Sequence, residues 1–328
     1  MDGTDAQGVD RLCLELQERF QWDVRSDRFS VLDRWSSRTS DFYLCRGGAP
    51  SAVPVVIKIL ERERRPDPQG SFEMLQALDA MHREVGTWAV RPPRAFGWSS
   101  DPPSIAMEHV PGRDGPSEIR ALMACEDRDG LETLARRCGG TLGTWHRRWG
   151  VTWVTAPEHD MLRRLSRTAK RQGLGLRSVL PTGTPVRLVF RFRDFGIYNF
   201  RRSDLGDLVI LDPPPAASRD LDVASRDVAW FLASIANAAV GTPRTSESHE
   251  PVSVPRYFAA RAMILRAFSE GYEQGAGCEL TETDHRLAAL IETSYLVARA
   301  GGRWRRDPRQ AADFARLAWA TRRGALHP

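Results

Sequence analysis

The 328-residue sequence has few cysteines and no long apolar run, and each of these features excludes a class of protein. Its five cysteines lie far apart and form no C-x-x-C pair, so we expect neither a zinc site nor a disulfide framework. Without about 18 consecutive apolar residues, no membrane span is expected. The acidic N-terminus lacks the basic and apolar regions of a secretory signal, so the expected location is the cytoplasm.

The composition is that of a folded protein, with 41% hydrophobic and 27% charged residues. These values exclude collagen-like, coiled-coil and largely disordered chains, and the length favours two domains or two lobes. The net charge of +5 is unevenly placed. Residues 161–177 hold six cations and no acid, and residues 301–328 hold seven arginines against two aspartates. Basic patches on an otherwise acidic chain indicate an anionic neighbour more than general nucleic-acid affinity, and no nucleic-acid partner is expected.

Hydrophobic periodicity predicts strands with one helix in the first third and mostly helices afterwards. Predicted helices cover 9–20, 71–85, 131–149, 159–171, 224–239, 254–274, 283–299 and 308–323. Predicted strands are two within 29–46, around a Ser-rich turn at 35–41, and 53–60, 92–98, 104–110, 186–192 and 207–212. This order predicts an α+β, two-lobed architecture, with a break at Pro111-Gly112. We assign a small N-lobe to 1–107, a hinge to 108–113 and a helical C-lobe to 114–328.

Four features with chemical potential follow one another along the chain. Lys58 lies in the apolar strand VVIKIL, where its ammonium needs a partner or water. Glu73, on the next helix, is a candidate for that partner. Asp194 follows an apolar strand and precedes Asn199 by five residues, and Asp212 ends the segment LVILD.

Phosphoryl transfer from a nucleotide requires groups of these kinds. A fixed cation, held by an acid, binds the α- and β-phosphates, and a carboxylate accepts the proton of the attacking hydroxyl. A carboxylate and an amide oxygen are suitable ligands for Mg²⁺. A spacing of five residues lets one loop present both a base and a metal ligand to the same cleft.

At these residues the chain resembles the aminoglycoside phosphotransferase and choline kinase superfamily, whose small-molecule kinases have a protein-kinase-like fold. The catalytic loop of that family usually reads His-Gly-Asp-x-x-x-x-Asn, and here FRDFGIYN occupies 192–199. The family hinge often resembles MEYVPG, and here MEHVPG occupies 107–112. The similarity extends to SRDVAWFLASI at 225–235 and covers about residues 29–240.

The resemblance implies ATP and Mg²⁺ as cofactors and a small hydroxylated molecule as the phosphate acceptor, with the nucleotide between the lobes. It implies Asp194 as the catalytic base and Asn199 and Asp212 as metal ligands. It also implies that Lys58, with Glu73, binds phosphates, and that Glu108 and Val110 bind adenine through their backbones. Asp227 would brace the catalytic loop.

The sequence also departs from the family pattern. Phe192 and Arg193 replace His-Gly before the catalytic aspartate, and Pro213 to Pro215 follow Asp212, which should hold it in extended backbone. The Ser-rich turn lacks the G-x-G-x-x-G of protein kinases, so phosphate contacts there would come from backbone N–H groups and Ser36, Ser37 or Thr39. His146, beside Trp145, is interpreted as a helix-face residue.

Three functions follow from these observations. The first is transfer of phosphate to a small molecule, and the two basic segments argue against a polycationic aminoglycoside as acceptor. They favour a molecule with phosphate, carboxylate or nucleotide groups, or a neutral sugar or nucleoside antibiotic. The second is a catalytically inactive, kinase-like nucleotide-binding protein, which the Phe192-Arg193 replacement motivates. The third, a protein kinase, is disfavoured by the missing glycine-rich loop and activation segment.

Overall fold

The computed structural model describes residues 6–22, 26–37, 40–48, 54–60, 66–86, 90–155, 183–212, 221–241 and 250–326. The basic segment 161–177, with the helix predicted at 159–171, lies outside these residues. So do Thr39 and the three prolines after Asp212. Within the described residues, no helix combines the length and apolar character needed to cross a membrane.

Eight helices and eleven strands make up the described part of the chain. The helices are α1 (Ala6–Phe20), α2 (Pro68–Val85), α3 (Gly115–Ala124), α4 (Arg128–Trp149), α5 (Ala224–Val240), α6 (Val254–Ala276), α7 (Glu282–Arg303) and α8 (Pro308–Leu326). The strands are β1 (Phe29–Ser36), β2 (Asp41–Gly47), β3 (Val55–Ile59), β4 (Ala95–Ser100), β5 (Pro103–Glu108), β6 (Gly112–Asp114), β7 (Val151–Thr155), β8 (Pro185–Phe190), β9 (Phe200–Ser203), β10 (Leu208–Ile210) and β11 (Leu221–Val223).

Contacts divide the chain into two compact units. Unit 1 contains the described residues within 6–86, 91–112 and 203–212, and unit 2 contains residue 90 and those within 113–202 and 221–326. Residues 203–212, which the sequence assigned to the helical lobe, are thus grouped with unit 1.

Unit 1 is built on an antiparallel sheet of five strands in the order β1-β2-β3-β5-β4. The central strand β3 has the sequence VVIKI, and all of its residues except Lys58 are buried. Lys58 pairs with Phe42 on one neighbouring strand and with Ile105 on the other. Helix α1 contributes Val9, Leu12, Cys13 and Leu16 to the core cluster that contains Ile57. Strand alternation therefore leaves one polar side chain, Lys58, on the face of β3 opposite this cluster.

Unit 2 is mostly helical and contains a short antiparallel sheet in the order β11-β8-β7. A group of buried phenylalanines fills the space between β8 and the helices: Phe192, Phe195, Phe200, Phe231 and Phe268. The ring of Phe195 packs edge-on against Phe192 and Phe200, with centroids 5.0 and 5.2 Å away. This packing gives the segment that follows β8 a fixed apolar floor.

The α+β architecture predicted from the sequence is confirmed, with a sheet-rich first part and a helical second part. Helices were predicted correctly where the apolar period was long. The sequence analysis missed α3 and the short strands β6, β7, β9 and β11, and it placed β4 about three residues too early.

Candidate active site

The segment 192–199 after β8 carries Asp194 on an otherwise buried loop. Phe192 and Phe195 have no exposed surface, and Phe192 also packs edge-on against Trp145, with ring centroids 5.0 Å apart. Asp194, between the two phenylalanines, is exposed. The apolar anchors on either side therefore hold the backbone while they leave the carboxylate at the surface.

Hydrogen bonds within the loop tie Asn199 to Asp194. The Asn199 Nδ2 donates to the Asp194 carbonyl oxygen at 2.8 Å, and the Gly196 N–H donates to the same oxygen at 2.7 Å. The Asp194 N–H donates in turn to the Phe192 carbonyl at 3.1 Å. Because the amide nitrogen of Asn199 is used inside the loop, its Oδ1 is directed elsewhere and can act as a ligand.

Arg193 has a φ of 69°, in the left-handed region that favours glycine. The family pattern has glycine at this position, so the loop keeps the backbone conformation while it accepts a side chain. An L-residue there costs roughly 1–2 kcal/mol, which the packing of Phe192 and Phe195 must offset.

Asp227 holds the loop from behind. The Phe192 N–H donates to its Oδ2 at 2.7 Å, and Arg191 Nε lies 3.3 Å from its Oδ1. Asp227 has no exposed surface. The brace predicted from the sequence is therefore present, even though phenylalanine stands where the family has histidine.

His146 is the second group behind the loop, and its assignment to the helix face was wrong. It has no exposed surface, and its Nε2 lies 3.4 Å from Asp227 Oδ2 while its Nδ1 lies 2.8 Å from the Tyr272 hydroxyl. Burial lowers the pKa of His146 below its ordinary value, although Asp227 opposes this shift. The ring is therefore neutral near neutral pH. The Tyr272 hydroxyl can donate to Nδ1, which leaves the one ring N–H on Nε2, facing Asp227.

In unit 1, Lys58 is paired with Asp212. Its Nζ lies 2.8 Å from Asp212 Oδ1, and the two side chains are 11% and 48% exposed. The segment before Asp212 is fixed by Arg91, whose backbone bonds Leu208 and Ile210 on either side, at 3.1 and 2.9 Å. The strand β10 thus brings a carboxylate to the one polar side chain of β3.

Glu73 does not hold Lys58 in this structure. It is exposed on α2 and accepts a hydrogen bond from Gln69 Nε2 at 2.9 Å. Among the described side chains, the acid paired with Lys58 is Asp212. The phosphate-binding role of Glu73 remains a prediction.

The Glu108 side chain closes a network at the end of β5. Its two carboxylate oxygens accept from Arg91 Nη1 and Nη2 at 2.8 and 3.0 Å, and Oε2 also accepts from the Arg94 N–H at 2.9 Å. Burial alone would raise the pKa of Glu108, but these hydrogen bonds outweigh it and the pKa lies below its ordinary value. Val110, two residues on, is buried. The adenine-binding roles proposed for Glu108 and Val110 concern their backbones and stay predictions.

The Ser-rich turn between β1 and β2 is closed by its own serines. Ser37 Oγ accepts from the Ser40 N–H at 3.0 Å, and the Ser37 N–H donates to the Ser40 carbonyl at 2.8 Å. Ser36 Oγ donates to Asp41. These bonds shape the turn, and contact of Ser36 or Ser37 with phosphate stays a prediction.

The structure thus places the predicted residues in two pairs, Lys58 with Asp212 in unit 1 and Asp194 with Asn199 in unit 2. Their action on one metal–triphosphate stays a prediction. Sequence reasoning missed Arg91 and Tyr272. The sequence contained a signal for the burial of His146. Cys138, Leu142 and Trp145 mark the buried side of α4, and position 146 is one helical turn after Leu142 on the same side.

Three solved structures show what the chain is similar to. A glucosamine kinase (crystal form B) matches at a TM-score of 0.52 and 14% identity, covering 92% of this chain and 95% of that one. A glucosamine kinase in complex with glucosamine, ADP and inorganic phosphate matches at 0.50 and 14%, covering 93% and 96%. An aminoglycoside 2'-phosphotransferase-IIIa in its GDP complex matches at 0.47 and 16%, covering 96% and 98%.

No protein-family model matches the chain. No curated protein matches it by sequence. The fold is nevertheless that of the glucosamine kinase structures over nearly the whole length. The kinase-like fold that the motifs predicted is therefore confirmed at the level of the fold.

Proposed function

We propose that the chain is an ATP-dependent, Mg²⁺-requiring phosphotransferase that phosphorylates a hydroxyl group of a small molecule. The observation that carries the proposal is the loop 192–199. It exposes Asp194, ties Asn199 to it and is braced by buried Asp227. The glucosamine kinase of similar fold that holds glucosamine, ADP and inorganic phosphate supports the same reaction class.

In the proposed reaction, the acceptor hydroxyl oxygen forms a bond to the γ-phosphorus while the bond between that phosphorus and the β,γ-bridging oxygen breaks. ADP leaves with the electron pair, and Asp194 takes the proton of the hydroxyl. Lys58 binds the α- and β-phosphates, and the backbones of Glu108 and Val110 bind the adenine ring. Positioning and charge stabilisation account for the rate.

The donor set fits a hard cation. Asp212 offers a partly exposed carboxylate, and Asn199 offers an amide oxygen whose partner nitrogen is already bonded. In our proposal these two side chains hold Mg²⁺, which when bound neutralises charge on the phosphates. Lys58 Nζ and Asp212 Oδ1 lie 2.8 Å apart. In the nucleotide complex that we propose, Lys58 would contact phosphate and Asp212 would contact the metal in place of this ion pair.

The test is Asp194→Asn, which keeps the shape of the side chain and removes the base. We expect phosphate transfer to pooled hydroxylated metabolites to fall at least about 100-fold, while ADP binding measured by calorimetry persists. Asp212→Asn should weaken both Mg²⁺-linked nucleotide binding and turnover. The matched control is Asp204→Asn, because Asp204 is exposed in the turn after β9.

The second candidate is an inactive, nucleotide-binding protein, favoured by Phe192 and Arg193 in place of His-Gly. The structure keeps the brace of the loop despite this replacement, which supports activity. Nucleotide binding by the wild-type chain with no transfer to any acceptor in the pool would favour the inactive protein and reject the phosphotransferase.

A further inference from the structure

Beside the proposed catalytic loop lies a pair of aromatic side chains, Trp230 on α5 and Tyr295 on α7. Their rings meet edge-on, with centroids 5.0 Å apart and planes at 73°, and both residues are half-buried. We call this pair the aromatic corner. Half-buried aromatic rings offer an apolar face and a polar tip to a ligand.

The aromatic corner is adjacent to the loop itself. A Cβ placed on Gly196 would lie 2.8 Å from Trp230 Nε1, so the edge of the indole rests against this residue. Gly196 has an ordinary φ of −120°, which means that space for Trp230, and not backbone conformation, requires glycine here. The Gly196 N–H donates to the carbonyl of Asp194, so the corner lies two residues from the proposed base.

The polar tips of the two rings are unused by the described part of the chain. Neither Trp230 Nε1 nor the Tyr295 hydroxyl has a hydrogen-bond partner among the described residues. Burial raises the pKa of Tyr295 above its ordinary value, against the opposing charges of Arg191 and Arg226, so the phenol keeps its proton and remains a donor. Two donors beside two aromatic faces suit the oxygen atoms of a ligand.

The charges around the aromatic corner cancel. Arg191 is paired with Asp227, and Arg226 is paired with Asp222. Counting the two residues at the loop tip, the neighbourhood holds three cations and three carboxylates: Arg191, Arg193, Arg226, Asp194, Asp222 and Asp227. A polycationic acceptor requires an excess of carboxylates and a polyanionic one an excess of cations, and the residues that the structure describes around the corner have neither excess.

We propose that the aromatic corner binds the phosphate acceptor, and that this acceptor is a neutral, hydroxylated ring of the sugar type. The C–H face of such a ring would pack on Trp230, and its oxygens would accept from Trp230 Nε1 and the Tyr295 hydroxyl. A hydroxyl of the ring would then reach Asp194. The inference rests on the proposed function for the last step, but the binding itself does not depend on phosphate transfer.

The test combines binding and transfer on the full chain in the presence of ADP or ATP with Mg²⁺. The probes are methyl glucopyranoside as neutral ring, glucosamine as singly charged ring, glucose 6-phosphate as anion and kanamycin as polycation. We expect the neutral ring to bind by calorimetry and to be phosphorylated. Trp230→Ala should weaken binding of the neutral ring at least about tenfold, and Tyr295→Phe should weaken it less. Sites that form hydrogen bonds to hydroxyl groups lose affinity when a donor is removed.

Trp304→Ala is the control, because Trp304 is 63% exposed beyond the end of α7, and its variant should bind the probe as the wild type does. Trp230→Phe, which keeps an apolar ring, serves if Trp230→Ala melts at a lower temperature. If the wild type binds the neutral ring but does not phosphorylate it, and the Trp230 variants lose this binding, the proposed function is rejected. The aromatic corner is then still supported as a sugar-binding site. Transfer to kanamycin or glucose 6-phosphate alone, or equal binding of the neutral ring by wild type and Trp230 variants, would overturn the inference and leave the phosphotransferase. No binding and no transfer with any probe would overturn both.

Discussion

At the scale of single residues, the position of Asp194 depends on groups that never reach the surface. Asp227 Oδ2 accepts from the Phe192 N–H and also faces His146 Nε2, and His146 Nδ1 contacts the Tyr272 hydroxyl. All four side chains have essentially no exposed surface. Removing one member leaves a buried polar partner unsatisfied, which costs more than the hydrogen bond itself contributes.

We therefore predict that His146→Phe destabilises the chain by about 1–3 kcal/mol and alters its response to pH. Because burial holds the pKa of His146 below the ordinary 6.5, the unfolded chain takes up a proton near that pH while the folded chain does not. The free energy of unfolding should be constant with respect to this group above pH 6.5 and should fall as the pH drops through that value. The variant should lose this part of the pH dependence.

Urea unfolding at pH 7.5 and 5.5 measures the difference. His285 is the matched control, because burial also lowers its pKa, whereas the described groups that contact the Asp227 carboxylate are His146, Arg191 and the Phe192 N–H. His285→Phe should change the pH dependence without lowering kcat, whereas His146→Phe should lower kcat as well. Identical pH slopes in wild type and His146→Phe would show that another group titrates.

The residues of the loop could be predicted because they are close in sequence, and their partners could not. Asp194 and Asn199 are five residues apart, and their hydrogen bond follows from the loop they share. Lys58 and Asp212 are separated by 154 positions, and His146 and Asp227 by 81. Glu73 lies on α2 as predicted, but the carboxylate that pairs with Lys58 is that of Asp212, which follows strand β10. Such choices depend on tertiary packing, which a local pattern does not contain.

At the scale of elements, unit 2 depends on the close crossing of α4 and α6. Gly139 and Gly143 on α4 lie against the backbone carbonyls of Phe268 and Tyr272. On the facing helix, Gly271 and Gly275 lie against the carbonyls of Arg136 and Gly140. A Cβ at any of these positions would overlap a main-chain oxygen. Small residues four apart on both helices thus allow the backbones to touch.

The sequences of α4 and α6 both contain the spacing G-x-x-x-G, but only the structure shows that the glycines of the two helices face each other. Helices with a long apolar period, such as α6 and α7, could be predicted from hydrophobic periodicity alone. The strands β6, β9 and β11 have three or four residues each, too few for an alternation to stand out. Helix α3 follows directly after the Pro111-Gly112 break, which the sequence analysis read as hinge.

We predict that Gly143→Ala lowers the free energy of unfolding by about 2–3 kcal/mol, because the helices must separate to admit the methyl group. The control is Gly301→Ala on α7, where nothing lies within 4 Å of the added Cβ. That variant should be as stable as the wild type or up to about 1 kcal/mol more stable. Thermal and urea unfolding of both variants provide the measurement, and equal stabilities would show that the crossing can relax without cost.

At the scale of the whole molecule, the reaction that we propose would draw its groups from segments far apart in sequence. The segment 203–212 follows the loop 192–199, yet its contacts group it with the first hundred residues, where Asp212 meets Lys58. The sequence analysis divided the chain once, at the Pro111-Gly112 break, into lobes at 1–107 and 114–328. A chain that passes between compact units five times gives no compositional sign of the later passages.

The nucleotide binding that we propose can be measured through the stability of the folded chain. If ADP with Mg²⁺ binds the folded chain only, a concentration 100 times Kd should add about 2.7 kcal/mol of stability and raise Tm by roughly 5 °C. Lys58→Met should abolish most of this shift, because the phosphates lose their cation, and EDTA should reduce it in the wild type. Arg46→Met, an exposed cation on β2, is the matched control and should keep the full shift. Differential scanning fluorimetry of the three proteins with ADP, with and without Mg²⁺, gives the result. An equal shift in wild type and Lys58→Met would remove Lys58 from the phosphate site, and a shift insensitive to EDTA would remove the metal from nucleotide binding.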